Sequence, residues 1–234
     1  YSGDGPATAT NAACYRSLVV NCSFRAPAST TTYLADCGFD LSECYAPTLQ
    51  DCSVIGAKVG YELGSSGIRM EAAVIDHCTT DYCMTGVKVW NEYFWATCPP
   101  TPLPPGYIAD AKPAVAPMFC VSDCTIRARD FGLILQTRRL VQVVRNTFNR
   151  LTTAPFTDIQ LGLIREGGVT DNIFSGTSSG RTNIAVICGD ATAGQAFGNS
   201  YDLVLGPNTL SDGQSGTTSP MIWVDPRTYD IFRY

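Results

Sequence analysis

The segment Arg145-Asn146-Thr147-Phe148 is followed 26 positions later by Asp171-Asn172-Ile173-Phe174, and this pair of segments decides the fold. Earlier in the chain cysteine takes the place of the carboxamide, as in Asp123-Cys124-Thr125-Ile126. The repeated position recurs at a spacing of about 22 residues on average, which is typical of stacked supersecondary repeats. The predicted series is Cys22, Cys37, Cys52, Cys78, Cys98, Cys124, Asn146, Asn172 and Asn199.

Short stretches with alternating apolar residues precede most of these positions. Gly86-Val87-Lys88-Val89-Trp90 and Gly132-Leu133-Ile134-Leu135-Gln136 are two of them. Alternation with a period of two predicts β-strands, and a repeat of this size cannot bury its apolar face without stacking on its neighbours. We therefore expect an all-β, single-stranded right-handed parallel β-helix, a solenoid of about nine coils. An antiparallel β-sandwich would explain the alternation, but not one residue type recurring once in every coil.

The composition narrows the function classes. The chain has 234 residues, a net charge of −5, one histidine (His77) and 11 cysteines. An acidic chain argues against a nucleic-acid partner. No apolar run approaches the ~18 residues of a membrane span, so membrane insertion is not expected. We find no Gly-rich phosphate loop and no dinucleotide fingerprint, and we predict neither a cofactor nor a metal.

The cysteines at the repeat position are expected to point inward and to stack as a ladder of small buried residues. Cys120 and Cys188 fall on predicted strands and also belong to the predicted core. We therefore predict mostly free, buried thiols. Cys14, Cys44 and Cys83 lie off the ladder and are the best candidates for a disulfide.

The Asn-x-Phe turn segment and the Gly-Ile-x-x strand segment resemble those of the pectin-lyase-like β-helix superfamily, which includes polysaccharide lyases, glycoside hydrolases and phage tailspikes. The resemblance covers roughly residues 14–210. We expect a β-helix over residues 1–210, interrupted by a proline-rich loop at 99–117. We expect residues 211–234 to form an irregular C-terminal cap or to begin a further module.

Stacking the strand segments places candidate site residues in outward columns. Glu71 and Asp110 would flank Trp90 two rungs apart, ~9–10 Å between backbones. That separation suits the two carboxyl groups of an inverting glycosidase, so Glu71 and Asp110 are the candidate catalytic residues. The candidate substrate-binding residues are Arg69, Lys88, Trp90 and Trp95. A solvated strand face of mixed charge is the competing interpretation.

The resemblance does not transfer a catalytic set. The Gly-His-Gly, Asp-Asp and Arg-x-Lys signatures of polygalacturonase-like members are missing, and no cluster of acids matches the calcium site of pectate-lyase-like members. His77, next to Cys78, is expected to face outward and to be structural or incidental.

The resemblance and the free thiols favour a tailspike-like receptor-binding protein on the virion surface (tail), which binds a host cell-surface polysaccharide for viral attachment. Cleavage would make it a glycan depolymerase, either a hydrolase or a lyase. The alternatives are a secreted extracellular polysaccharide lyase or glycoside hydrolase, and a non-catalytic structural or adhesive β-helix. Outward-facing Ile134, Ile164 and Ile187 predict a homotrimer whose solenoids pack side by side.

Overall fold

A computed structural model describes residues 14–27, 32–42, 44–65, 72–91, 116–151, 156–175, 181–187, 201–211, 222–224 and 231–233. These residues form strands and connections, and no helix among them is long and apolar enough to cross a membrane. The strands are β1 (Cys14–Tyr15), β2 (Leu18–Val20), β3 (Ser23–Arg25), β4 (Ala35–Asp40), β5 (Cys44–Tyr45), β6 (Thr48–Gln50), β7 (Ser53–Ile55), β8 (Ala57–Ser65), β9 (Ala73–Asp76), β10 (Thr79–Asn91), β11 (Ala116–Ser122), β12 (Thr125–Val144), β13 (Thr147–Arg150), β14 (Phe156–Thr170), β15 (Ile173–Ser175), β16 (Arg181–Ile187), β17 (Tyr201–Leu205), β18 (Thr209–Leu210), β19 (Ile222–Val224) and β20 (Ile231–Arg233).

The strands stack in parallel and in register as a β-solenoid with three faces, which confirms the all-β parallel architecture. The first sheet runs β2, β6, β9, β11, the second half of β12, the second half of β14, β17 and β20. The second sheet runs β3, β7, the start of β10, the start of β12, β13, β15 and β18. The third sheet runs β4, β8, the end of β10, the middle of β12, the start of β14, β16 and β19.

The predicted ladder lies at the turn between the first and second sheets, with seven rungs among the described residues instead of the nine expected. Its members are Cys22, Cys52, Cys78, Cys124, Asn146, Asn172 and Asn208. Each member donates its backbone N–H to the side chain of the next from Cys52 onward, at 3.4 Å to sulfur and 3.0 Å to the carboxamide oxygens. Six of the predicted residues therefore lie on the ladder, and five of them are buried as expected, whereas Cys22 at the first rung is exposed.

Two of the predicted ladder positions are wrong. Cys37 lies in β4 of the third sheet, where it pairs with Val59. Asn208, and not Asn199, stacks on Asn172. Cys98 lies outside the described residues, and Cys124 is the rung that follows Cys78 among the described ones. The reason is that coil length varies, from 22 residues between Cys124 and Asn146 to 46 between Cys78 and Cys124, so a mean spacing misplaces rungs.

The residue before six of the seven ladder positions has a left-handed backbone, with φ between 50° and 58° in Asn21, Asp51, His77, Asp123, Arg145 and Asp171. Asn and Asp tolerate this conformation better than other residues that carry a Cβ. This preference explains why Asp or Asn so often precedes the repeated Cys or Asn in the sequence. His77 and Arg145 are the two members that are neither Asn nor Asp, and of these only histidine is also enriched in this conformation.

The third sheet carries an inward column of glycines, Gly38, Gly60, Gly86 and Gly132, packed under the side chains of the second sheet. A Cβ at Gly86 would lie 2.6 Å from the Gly132 carbonyl oxygen and would collide with Ile126. Close packing therefore requires glycine here, although the backbone conformation does not. Gly67 is not in this column, since Gly60 stacks directly under Gly86.

Several other expectations are settled by burial and pairing. All eight cysteines whose side chains are described are free thiols, including Cys44 and Cys83, which are buried.

Ile164 is fully buried, because it lies on the inner face of the first sheet. It therefore does not belong to the predicted outward stripe. After residue 210, β19 and β20 add parallel rungs to the third and first sheets, which extends the solenoid beyond the predicted boundary.

Candidate functional site

An open groove of about 420 Å³ lies on the outer face of the first sheet. It forms where Gly168 falls in the outward column between Gln142 and Val204, with which it pairs directly. A Cβ at Gly168 would meet nothing closer than 3.8 Å, so the missing side chain leaves open space. The lining is Leu140, Val141, Gln142, Val144, Arg145, Glu166, Gly167, Gly168 and Thr170.

The chemistry of this groove suits a ligand rich in hydroxyl groups. Gln142 offers both a donor and an acceptor, Thr170 a hydroxyl, and Glu166 a carboxylate acceptor. Arg145 offers guanidinium donors, and its side chain is 59% exposed. The groove therefore combines apolar strand surface with donors and acceptors of both kinds, as carbohydrate sites require.

Arg145 is held in place by Asp123 on the rung below. Its Nε donates to Oδ1 at 2.8 Å and its Nη2 to Oδ2 at 2.6 Å, a bidentate pair. The hydrogen bonds from Arg145 lower the pKa of Asp123. Such a pair fixes the plane of the guanidinium and leaves Nη1 outside the bond. The turn thus presents an oriented donor at the edge of the groove.

A second polar pair lies beside Asp123. Asp76 accepts a hydrogen bond from the Ser122 hydroxyl at 2.6 Å and lies 2.9 Å from Nδ1 of His77. Burial opposes ionisation of Asp76, but these bonds outweigh it and lower its pKa. The same contact with Asp76 raises the pKa of His77. His77 therefore faces outward, as predicted, and of the two expected roles the structural one fits, because His77 belongs to this network.

Asp76, His77 and Asp123 offer three ligand atoms within 4.8 Å of one another. These groups are already engaged: Arg145 covers both oxygens of Asp123, while Ser122 and His77 cover those of Asp76. A cation would have to displace Arg145, so this cluster fits an internal hydrogen-bond network better than a metal centre.

The network also bears on catalysis. A general acid in glycoside cleavage needs a raised pKa, whereas the pKa values of Asp76 and Asp123 are both lowered. Burial raises the pKa of Asp158 to about 6, yet this carboxyl is 0% exposed and bound to Arg181 and Asn183 inside the solenoid. Asp76 and Asp123 therefore lack the raised pKa of a general acid, and Asp158 is out of reach of a ligand at the surface.

The residues predicted from sequence lie elsewhere. Lys88 is on the outer face of the third sheet, where its Nζ lies 2.8 Å from Oε1 of Glu62. Trp90 lies in β10, paired with Gly64. Arg69, Glu71, Trp95 and Asp110 lie outside the described residues, so their assigned roles stay predictions.

The predicted column that contains Lys88 is confirmed only in part. Lys88 pairs directly with Glu62 below and with Ile134 above, where the sequence predicted Arg69 and Ile108. From Ile134 onward the predicted column, Ile134, Gln160 and Ala185, is confirmed.

The groove residues Gln142 and Gly168 were not found from sequence. Gly167-Gly168 lies inside a strand of otherwise bulky residues, and an isolated glycine in a strand is a known sign of close backbone approach or open surface. The two non-Asx residues at the left-handed position, His77 and Arg145, are a second sign, because residues in a disfavoured conformation concentrate at functional sites. No protein-family model, curated protein or solved structure matches this chain.

Proposed function

We propose that this protein binds a polysaccharide in the groove at Gly168, as a tailspike-like receptor-binding protein that holds a host cell-surface glycan. The observation that carries the proposal is the groove itself, an open space of about 420 Å³ lined by an oriented guanidinium, a carboxamide, a carboxylate and a hydroxyl. The expected resemblance to pectin-lyase-like solenoids supports the same class of ligand. A virion location and a homotrimer remain parts of this proposal.

The charge balance of the groove indicates the kind of sugar. Arg145 and Glu166 carry opposite charges, and Asp123 and Asp76 add negative charge nearby. A strongly acidic glycan would be repelled by this edge of the first sheet. We therefore expect neutral hexose units, bound through hydroxyl groups, to be preferred over uronate-rich chains.

The substitution Gly168→Leu tests the proposal because it fills the groove without disturbing the interior. The expected result is at least a tenfold loss of affinity for the best ligand in a panel of bacterial surface polysaccharides, measured by biolayer interferometry. Thr125→Leu places the same leucine side chain on the exposed face of the second sheet and serves as the control for an added surface leucine. Equal affinity of Gly168→Leu and the wild-type protein would reject the groove as the binding site.

A competing surface on the same solenoid is the third sheet, where Trp223 is 48% exposed and stacks on Ala185. An exposed tryptophan offers a flat apolar face to a sugar ring. The variant Trp223→Ala therefore belongs in the same experiment. Loss of binding in Trp223→Ala alone would move the polysaccharide to the third sheet, which would contradict the groove assignment.

The proposal predicts binding without cleavage at this site. Incubation of the protein with its ligand should therefore yield neither new reducing ends nor unsaturated products. Product formation that survives Gly168→Leu would favour the alternative, a secreted lyase or hydrolase whose catalytic residues lie elsewhere, with Glu71 and Asp110 as the first to substitute.

A further inference from the structure

Four cysteines occupy consecutive rungs at one end of the ladder: Cys22, Cys52, Cys78 and Cys124. Cys22 is exposed at the first rung, while the other three are only 1–2% exposed. Three asparagines continue the same column. None of these cysteines lines the groove at Gly168. The role of the ladder thiols is therefore separate from glycan binding.

The sulfur atoms repeat by translation from rung to rung. The Sγ atoms of Cys52, Cys78 and Cys124 contact the carbonyl two residues earlier at 3.2, 3.2 and 3.1 Å, which places all three in the same rotamer. Stacked in-register side chains keep the rung spacing of about 4.8 Å. Neighbouring sulfurs therefore lie about 4.8 Å apart along the solenoid axis.

This spacing disfavours a disulfide between neighbours. A disulfide needs Cβ atoms about 3.5–4.5 Å apart, less than the rung spacing, and the Cβ vectors of stacked residues are parallel instead of convergent. Bringing two sulfurs to bonding distance would therefore require the two strands to move or the side chains to leave their rotamers. The thiols are arranged to remain separate sulfur ligands.

We propose that the gap between Cys78 and Cys124 binds one soft monovalent cation, Cu⁺, held by the two sulfurs in near-linear coordination. Two metal–sulfur bonds of roughly 2.3 Å each span about 4.6 Å, close to the rung spacing. Thiolates select soft ions such as Cu⁺. Zn²⁺ requires four ligands in a tetrahedron, and the ladder directs only two sulfurs at each gap.

The surroundings support thiolate ligands at these two positions. The backbone N–H of Cys52 donates to Sγ of Cys78, and that of Cys78 donates to Sγ of Cys124, each at 3.4 Å. Such donors stabilise metal-bound sulfur.

The binding reaction balances without an oxidant. Cu⁺ replaces the protons of both thiols, two S–H bonds break, two Cu–S bonds form, and two protons go to solvent. Copper and sulfur keep their oxidation states, and the product is a bis-thiolate with one negative charge.

The test is an anaerobic titration of the reduced protein with Cu⁺ against a chromogenic Cu⁺ chelator, followed by X-ray absorption spectroscopy. We expect one tightly bound Cu⁺ per chain with two sulfur neighbours. Cys78→Asn and Cys124→Asn should weaken binding at least a hundredfold, and both should fold, because asparagine takes this rung at Asn146 and Asn172. Cys120→Ser changes a half-buried thiol on the outer face and should bind as the wild-type protein does.

Three results would overturn the inference. The first is unchanged Cu⁺ affinity in Cys124→Asn, and the second is a copper site with three or four sulfur neighbours. The third is a Cys78–Cys124 disulfide found by peptide mapping after exposure of the metal-free protein to oxidised glutathione. Cys124→Ser, which is nearly isosteric, replaces Cys124→Asn if thermal melting shows that the asparagine variant does not fold.

Discussion

Cys78 donates its backbone N–H to Sγ of Cys124 at 3.4 Å, although 46 residues separate the two in the chain. One rung higher, 22 residues suffice for the same step, from Cys124 to Asn146. Successive ladder residues thus stack directly on one another, whatever the number of residues in the coil between them. The proline-rich segment is the clearest example, because all of it falls between two adjacent rungs.

The asparagine part of the ladder should contribute strongly to stability. Asn172 is fully buried, its Nδ2 donates to Val143 O, Thr170 O and Asn208 Oδ1, and its Oδ1 accepts from Asn146. Asn172→Ala removes these bonds and leaves buried partners unsatisfied, so we expect a loss of about 2–4 kcal/mol in urea unfolding. Asn172→Cys, which reproduces the lower rungs, should cost less than the alanine variant. An Asn172→Ala variant as stable as the wild-type protein would show that carboxamide bonding does not stabilise the column.

Substitution by alanine should lower the free energy of unfolding at Gly86 in the glycine column and leave it almost unchanged at Gly168 in the groove. Gly86→Ala places a methyl group 2.6 Å from a backbone oxygen that cannot move without disturbing the next rung, so we expect a loss of about 1–3 kcal/mol or more. Gly168→Ala has at least 3.8 Å of clearance and should leave the free energy of unfolding within about 0.5 kcal/mol of wild type. Denaturant unfolding of both variants, side by side, checks the contrast. A large loss in Gly168→Ala would mean that the groove is not open space.

Much of the architecture could be predicted from the sequence, and the reasons are local. Residues such as Asp123 and Asn146 mark the left-handed turn and the ladder, because few residue types satisfy those positions. The spacing of the repeat was the weak point of the prediction. A mean coil length leads to Asn199 and misses Asn208, because it cannot anticipate a longer coil. The groove at Gly168 was missed because it forms where a residue without a side chain lies between two larger residues on the neighbouring rungs. Which residues are its neighbours is known only once the strand register is known.

His77 is the single histidine of the chain, so its titration can be followed without assignment. Asp76, with smaller contributions from Asp123 and Asp51, holds the pKa of His77 above its ordinary value in the folded, metal-free protein. The stabilising contact is therefore complete below the unfolded pKa of about 6.5 and is lost as the pH rises through the folded value. It also weakens in acid, once Asp76 itself is protonated.

We expect the histidine ring protons in NMR spectra to titrate with a midpoint above 6.5 in the wild-type protein. Asp76→Asn removes the charge but keeps the shape, and it should lower that midpoint. Asp171→Asn, on the same turn column but two rungs beyond Asp123, is the control and should leave the midpoint unchanged. A midpoint that is insensitive to Asp76→Asn would show that the two side chains do not interact in solution.

The buried ion pair between Asp158 and Arg181 should depend on both partners. Arg181 contacts both carboxylate oxygens at 2.7 Å, and the two side chains are 0% and 6% exposed. Arg181→Met leaves the carboxylate buried without its counter-charge, so we expect a loss of about 3–5 kcal/mol at neutral pH. The loss should shrink as the pH falls, because the uncompensated Asp158 then takes up a proton, and its pKa should exceed the value of about 6 found with Arg181 in place.

The double variant Asp158→Leu/Arg181→Met shows how much of the loss in stability comes from the ion pair and how much from the packing of the two side chains. Removing both charges avoids the uncompensated carboxylate, so the double variant should be more stable than Arg181→Met alone. Urea unfolding of the wild type, both single variants and the double variant closes the cycle. Equal and additive losses would show that the two side chains are stabilised independently, by contacts such as those of Arg181 with the carbonyl oxygens of Ser175 and Phe148.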